Sequence, residues 1–134
     1  MSILLLFLLF ILGPDDSLVS RVYRPHRLLL LDPHMTVSGV VNSIHTGFDG
    51  DYHINLKIKD QGLLAKNNKS DEDSCLVLEI VCVKNTMHIC RGYTNKVTIP
   101  SVGDSIDVVG PYVFDKIHKI TEIHPVERLR ILKR

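Results

Sequence analysis

From residue 52 to residue 59 apolar and polar side chains alternate without a break. That is the period of a strand with one face in a core and the other in water, and no helix satisfies it. Tyr52, Ile54, Leu56 and Ile58 fall on one side; His53, Asn55, Lys57 and Lys59 fall on the other. The chain around this strand has the same texture. Residues 36–44 are rich in β-branched side chains, with Gly39 at their centre, where a barrel strand would bend. Residues 45–50 end in Asp49-Gly50, which is hairpin chemistry. Residues 76–83 are the most apolar stretch and read as a central strand; Glu79, its single charge, shares a face with Val77 and Val81. Residues 105–114 form another strand with a kink at Gly110-Pro111, where it must bulge or lie at an edge. Residues 120–132 form the last strand, interrupted at Pro125. Residues 61–74 form a polar connection that opens with one helical turn; residues 84–96 are irregular, with 97–99 extended. Five strands, with kinking glycines in the first and fourth, predict an all-β, five-stranded OB-like Greek-key barrel over residues 35–134.

A chain of 134 residues holds one core of this kind and no second. Ahead of it, residues 3–12 are an unbroken apolar run. Ten helical residues rise about 15 Å, half a hydrocarbon core, so the run is too short to span a bilayer. Residues 1–13 read as a truncated or mis-started secretory signal, with a membrane-surface anchor or a buried extension as alternatives. Residues 14–34 read as a connector, in which 28–31 is a short strand or a strip across the barrel's end.

Cys75, Cys82 and Cys90 show no zinc-like spacing. Cys82 and Cys90 either form a disulfide in an oxidising compartment or are two reduced, partly buried thiols. Asn68-Lys69-Ser70 is formally a glycosylation sequon.

Two constellations could carry chemistry. Asp49, Asp51, His53, Glu122 and His124, with Glu79 as a further member, form a carboxylate–imidazole set suited to a divalent cation. Against that stands ordinary turn chemistry, in which Asp49 and Asp51 bond local backbone and the histidines pin strands. The second constellation is an oligomer-binding face of His53, Asn55, Lys57 and Lys59, with Phe48 and Tyr93 as loop rings. Charge weighs against a polyanion: 16 basic residues face 15 acidic ones, and each phosphate contact needs its own cation. Arg128, Arg130, Lys133 and Arg134 read as a solvated terminus. No GxSxG and no phosphate-cradling glycine loop occurs.

The run Asp49-Gly50-Asp51-Tyr52-His53, then Val102-Gly103-Asp104 with Val109-Gly110, then Glu122-Ile123-His124-Pro125 resembles small OB-like domains of bacteria and archaea. Many of those follow secretion signals, and their biochemical role is generally unassigned. The resemblance covers roughly residues 27–132 and implies an OB-type barrel and export. Two departures stand out. Relatives often carry a cysteine where His34 follows Asp32-Pro33, which leaves the partner of Cys82 or Cys90 open. They also tend to carry an aromatic where Thr121 stands. The expectation is a non-enzymatic, exported or membrane-proximal binding domain, with single-stranded nucleic acid or another oligomer as ligand. A metal-dependent hydrolase built on the Asp/His/Glu set is the runner-up, and a structural partner of a membrane-proximal complex the third reading.

Overall fold

The computed structural model describes residues 18–134; the signal-like segment 1–13 lies outside them. Among the described residues there are six strands: β1 (Leu28–Thr46), β2 (Tyr52–Lys57), β3 (Leu76–Ile80), β4 (Ser105–Asp115), β5 (Ile120–Ile123) and β6 (Arg128–Lys133). Among the described residues one short α-helix, α1 (Lys66–Asp71), lies between β2 and β3, after a 3-10 turn at Gln61–Leu63. Antiparallel pairs β1–β2, β2–β3, β5–β4 and β4–β1, with a parallel pair β3–β5, close five strands into a ring. β6 continues along the edge of β4 beyond β5. The protein is an all-β ring, filled by residues such as Val41, Ile54, Leu56, Leu76, Leu78, Ile80, Ile106, Val108 and Ile123.

Alternation supplies that filling. Ile54 and Leu56 of β2 and Leu76, Leu78 and Ile80 of β3 point inward together, which fixes the register Ile54↔Leu78 and Leu56↔Leu76. β1 is long because it serves two partners, pairing with β4 up to Val40 and with β2 from Val40 onward. It must bend sharply between them. A Cβ on Gly39 would sit 2.3 Å from the Lys57 carbonyl oxygen, so only glycine lets the strands approach this closely. Opposite Pro111 the β1 register slips, from Asp32↔Tyr112 to Met35↔Gly110. Neither Pro33 nor Pro111 can donate to the ladder, so the expected bulge forms there.

Several boundaries differ from the sequence reading. β1 begins at Leu28, inside the expected connector, because residues 28–30 join the β4 ladder at Asp115, Phe114 and Val113. Four consecutive leucines carry no period from which to read this. The last strand is divided into β5 and β6, yet residues 124–127 stay attached. The His124 N–H donates to the Pro111 carbonyl (3.0 Å), Val126 to Glu79 (2.8 Å) and Glu127 to Val109 (2.8 Å). β3 stops at Ile80 rather than at residue 83, because Cys82 takes a left-handed φ of 57°. The chain then leaves the sheet and returns to close the Cys82–Cys90 disulfide, with Cys75 free and buried. Residues 97–99 join no ladder, although Val97 and Ile99 pack against the core.

A buried disulfide points to an oxidising compartment. Among the described residues no helix is long and apolar enough to cross a membrane. The formal sequon is closed to modification, since Asn68 is fully buried and its Nδ2 donates to the Cys75 and Thr121 carbonyls, each at 3.0 Å.

Candidate cation-binding centre

The strands that point Ile54, Leu78 and Ile123 inward turn His53, Glu79 and Glu122 outward. Cross-strand register places His53 opposite Glu79, Asn55 opposite Val77, and Val77 opposite Glu122. This outer wall would be wet on a bare barrel, but two elements cover it. Val22, on the segment leading into β1, packs with Val81, Cys82 and Cys90, while Arg27 forms an ion pair with Asp115. At the other end of the wall, the residue after α1, Glu72, accepts from the Asn55 amide through its side chain (3.0 Å). Glu79, Glu122, His124, Asp51 and Asn55 are consequently all buried.

Glu79 is the hub. Its Oε2 lies 3.3 Å from His124 Nε2, and its Oε1 lies 3.7 Å from His53 Nε2. His124 Nδ1 lies 2.9 Å from Glu122 Oε2; against an ionised Glu122 the ring is an Nδ1–H donor, which leaves the Nε2 lone pair facing Glu79. His124 is 2% exposed, and its Nε2 has no hydrogen-bond partner. One ligand atom each from Asp51, Glu79 and His124 all fall within 4.8 Å of one another. Asp51 is held by the Cys82 N–H, which donates to its Oδ1 at 2.8 Å. In that tautomer, with Glu79 ionised, a lone pair faces a carboxylate, an arrangement that calls for a proton or a cation.

The electrostatics agree. Burial pushes the Glu79 carboxyl up to about 7, with the Glu122 charge adding to the shift and His124 opposing it. Burial also lifts Asp51 to about 7 against the Cys82 hydrogen bond, and Glu122 to about 7 with Asp115 reinforcing. His124 is pushed down by burial and is therefore neutral near pH 7, the form that ligates metals. Burial raises Asp115 too, but hydrogen bonds from His118 and Ile117 and the Arg27 guanidinium hold it below its ordinary range.

Of the residues singled out from sequence for a cation, Asp51 and His124 come together, with His53 and Glu122 against them. Asp49 does not join; its Oδ1 accepts from the Asp51 N–H (3.1 Å), the turn role. The expected oligomer face is dispersed. His53 and Asn55 belong to the acidic wall, whereas Lys57 and Lys59 border a separate groove with Ser38, Asp60 and Leu63. Phe48 stands 80% exposed at a loop tip, edge-on to Tyr23. Tyr93 lies on another wall beneath Arg21.

Glu79 proves central although it read only as an adjunct; the signal was a lone charge in the most apolar strand. Glu72, Asp115 and His118 carried no such signal, since each sits in a polar stretch. No protein-family model matches this chain, and no curated protein matches it significantly.

Proposed function

We propose that this chain is an exported OB-type barrel that binds a first-row divalent cation between Asp51, Glu79 and His124. The observation that carries the reading is the buried, unpartnered His124 Nε2 at 3.3 Å from a buried carboxylate. Two oxygens and one nitrogen suit Zn²⁺ or Mn²⁺; Ca²⁺ asks for six to eight oxygens, and this pocket does not offer them. Glu122 on His124 Nδ1 and the Cys82 N–H on Asp51 are the outer partners that orient such ligands. The ring order, with β3 parallel to β5, supports the OB assignment, and the disulfide supports export. Asp51, Glu79 and His124 would hold the cation, and a water bound to it would be the chemistry that the cation would supply.

Calorimetry with Mn²⁺ and Zn²⁺ tests the reading. One-to-one uptake is expected, weakened about 100-fold in His124→Ala and in Asp51→Asn, which keeps an acceptor for Cys82. Absence of heat with both cations in the native chain would end it.

A second reading rests on the other wall. A groove of about 740 Å³ has Tyr93, Lys96, Arg128 and Arg130 in its lining, together with the carboxylates of Asp107 and Glu127. The Arg21 guanidinium lies 4.9 Å above the Tyr93 ring. A ring flanked by cations is the equipment for stacking a base and holding a phosphate, so single-stranded nucleic acid fits here rather than on the acidic face of β2 and β3.

A further inference from the structure

Outside the inner centre, the same wall opens into a cavity of about 370 Å³, whose lining includes Asn55, Glu72, Val77, Glu79, Ile120 and Glu122. No lysine or arginine lines it. Asn55 is 4% exposed, and its Nδ2 donates to both the side chain and the carbonyl of Glu72 (3.0 and 3.4 Å). Those two acceptors decide the amide's orientation, because an amide oxygen turned toward them would repel both. The Asn55 Oδ1 is thereby turned away from Glu72, and it is buried without a partner. A buried acceptor left bare costs free energy that a hydrogen-bond donor would recover.

Register gives the cavity its shape. Asn55, Val77 and Glu122 form one row across three adjacent strands. At the usual strand spacing this row is about 10 Å wide. Its middle carries Val77, with Ile120 beside it and Glu79 two residues along the same strand, and its two ends are acceptors: Asn55 Oδ1 on one side and Glu122 on the other. A bare metal ion, with contact distances of about 2–2.5 Å, cannot reach both ends. A short aliphatic chain with an ammonium at each terminus can, with its methylenes lying over Val77.

We propose that this outer cavity is a binding site for a short α,ω-diammonium ligand, one terminus held by Asn55 Oδ1 and the other by Glu122. The site does not depend on the inner centre being loaded, so it is tested on chelator-treated protein at pH 8 and low salt, and its failure leaves the cation reading intact. The probes are butane-1,4-diammonium, n-butylammonium and butane-1,4-diol, followed by calorimetry. The diammonium is expected to bind about tenfold or more tighter than the monoammonium, and the diol to give no heat. Asn55→Leu and, independently, Glu122→Gln should each weaken the diammonium about tenfold. Glu122→Gln conserves size, so it serves should Asn55→Leu fail to fold. Equal affinity for the mono- and diammonium, or diammonium binding unchanged in a folded Glu122→Gln, would overturn the proposal.

Discussion

On the wall formed by β2, β3 and β5 the polar side chains are acceptors under cover: Glu79, Glu122, Asn55 and a neutral His124. On the wall formed by β4 and β6 the charges lie in water, with Lys96, Arg128 and Arg130 beside Asp107 and Glu127. Arg130 reaches Asp107 at 2.9 Å, and Arg128 and Lys96 make no ion pair among the described residues. Both walls are outward faces of the same ring, built by the same alternation. What separates them is the cover. The segment before β1 and the residues around α1 close over one wall, and there desolvation lifts Asp51, Glu79 and Glu122 together to about 7. A wall that buries acceptors without donors gives up stability, whereas an exposed wall carries charge at almost no cost.

The largest expected effect tests that asymmetry directly. In metal-free protein at pH 8, Glu79→Gln should raise stability by about 3 kcal/mol, the cost of ionising a carboxyl moved from 4.5 to about 7. The sign follows from linkage. The folded state holds this proton after the unfolded state has released it, so stability falls as pH rises from about 4.5 to about 7 and stays reduced above. Asp51 and Glu122 act in the same direction, and His124 in the opposite one below pH 6.5. The gain from Glu79→Gln should therefore vanish near pH 4, where native glutamate is also neutral. Arg128→Glu on the exposed wall should shift stability by less than about 0.5 kcal/mol at either pH. Urea melts at pH 4 and pH 8 supply the comparison, and a Glu79→Gln protein no more stable than native at pH 8 would erase the distinction between the walls.

The asymmetry was only half legible in the sequence. The alternation over residues 52–59 correctly gave the two faces of β2 and placed Ile54 and Leu56 in the core. It also implied a wet outer face, and at Asn55 that is wrong, because α1 and Glu72 close over it. Period reports which side a residue faces and carries no information about what a distant segment lays upon that side. The same reason explains Glu79. Its face was readable from Val77 and Val81, but its partners lie at residues 51, 53 and 124, brought close by the parallel β3–β5 pairing and the irregular 124–127 stretch. Asp49 and Asp51 show the converse limit. Two aspartates in one turn are chemically alike in sequence; the structure sends one to local backbone and the other to the centre.

The disulfide lies where the two walls meet, which makes it a second probe. The Cys82 N–H fixes Asp51 on the acceptor side, while the Cys82 carbonyl accepts from the Asn95 N–H and the Cys90 carbonyl from the Tyr93 N–H, each at 2.9 Å, on the groove side. Cys82 and Cys90 are eight residues apart, so closing that loop should contribute about 2.5 kcal/mol through the unfolded chain. The double substitution Cys82→Ser with Cys90→Ser is expected to lower stability by about that amount and to weaken both cation uptake and groove binding. If only one of the two ligands responds, the walls do not share this anchor.

The smallest effect belongs to the exposed groove, and it is measurable because its salt dependence is calculable. Arg128 and Lys96 are the groove cations without an acidic partner among the described residues, so at most two phosphates are neutralised anew. Each single-strand phosphate contact contributes a slope of about −0.7 in log affinity against log salt. Two contacts predict about a sevenfold loss of oligothymidylate affinity between 50 and 200 mM salt. Arg128→Glu should flatten that slope to about −0.7 or nearer zero, and Tyr93→Ala should weaken binding about tenfold with the slope unchanged, since stacking releases no counterions. Fluorescence anisotropy with a labelled oligothymidylate reads both. A slope several times steeper would mean that phosphates also engage cations outside this groove, Lys57 and Lys59 included, and the division of labour between the two walls would have to be redrawn.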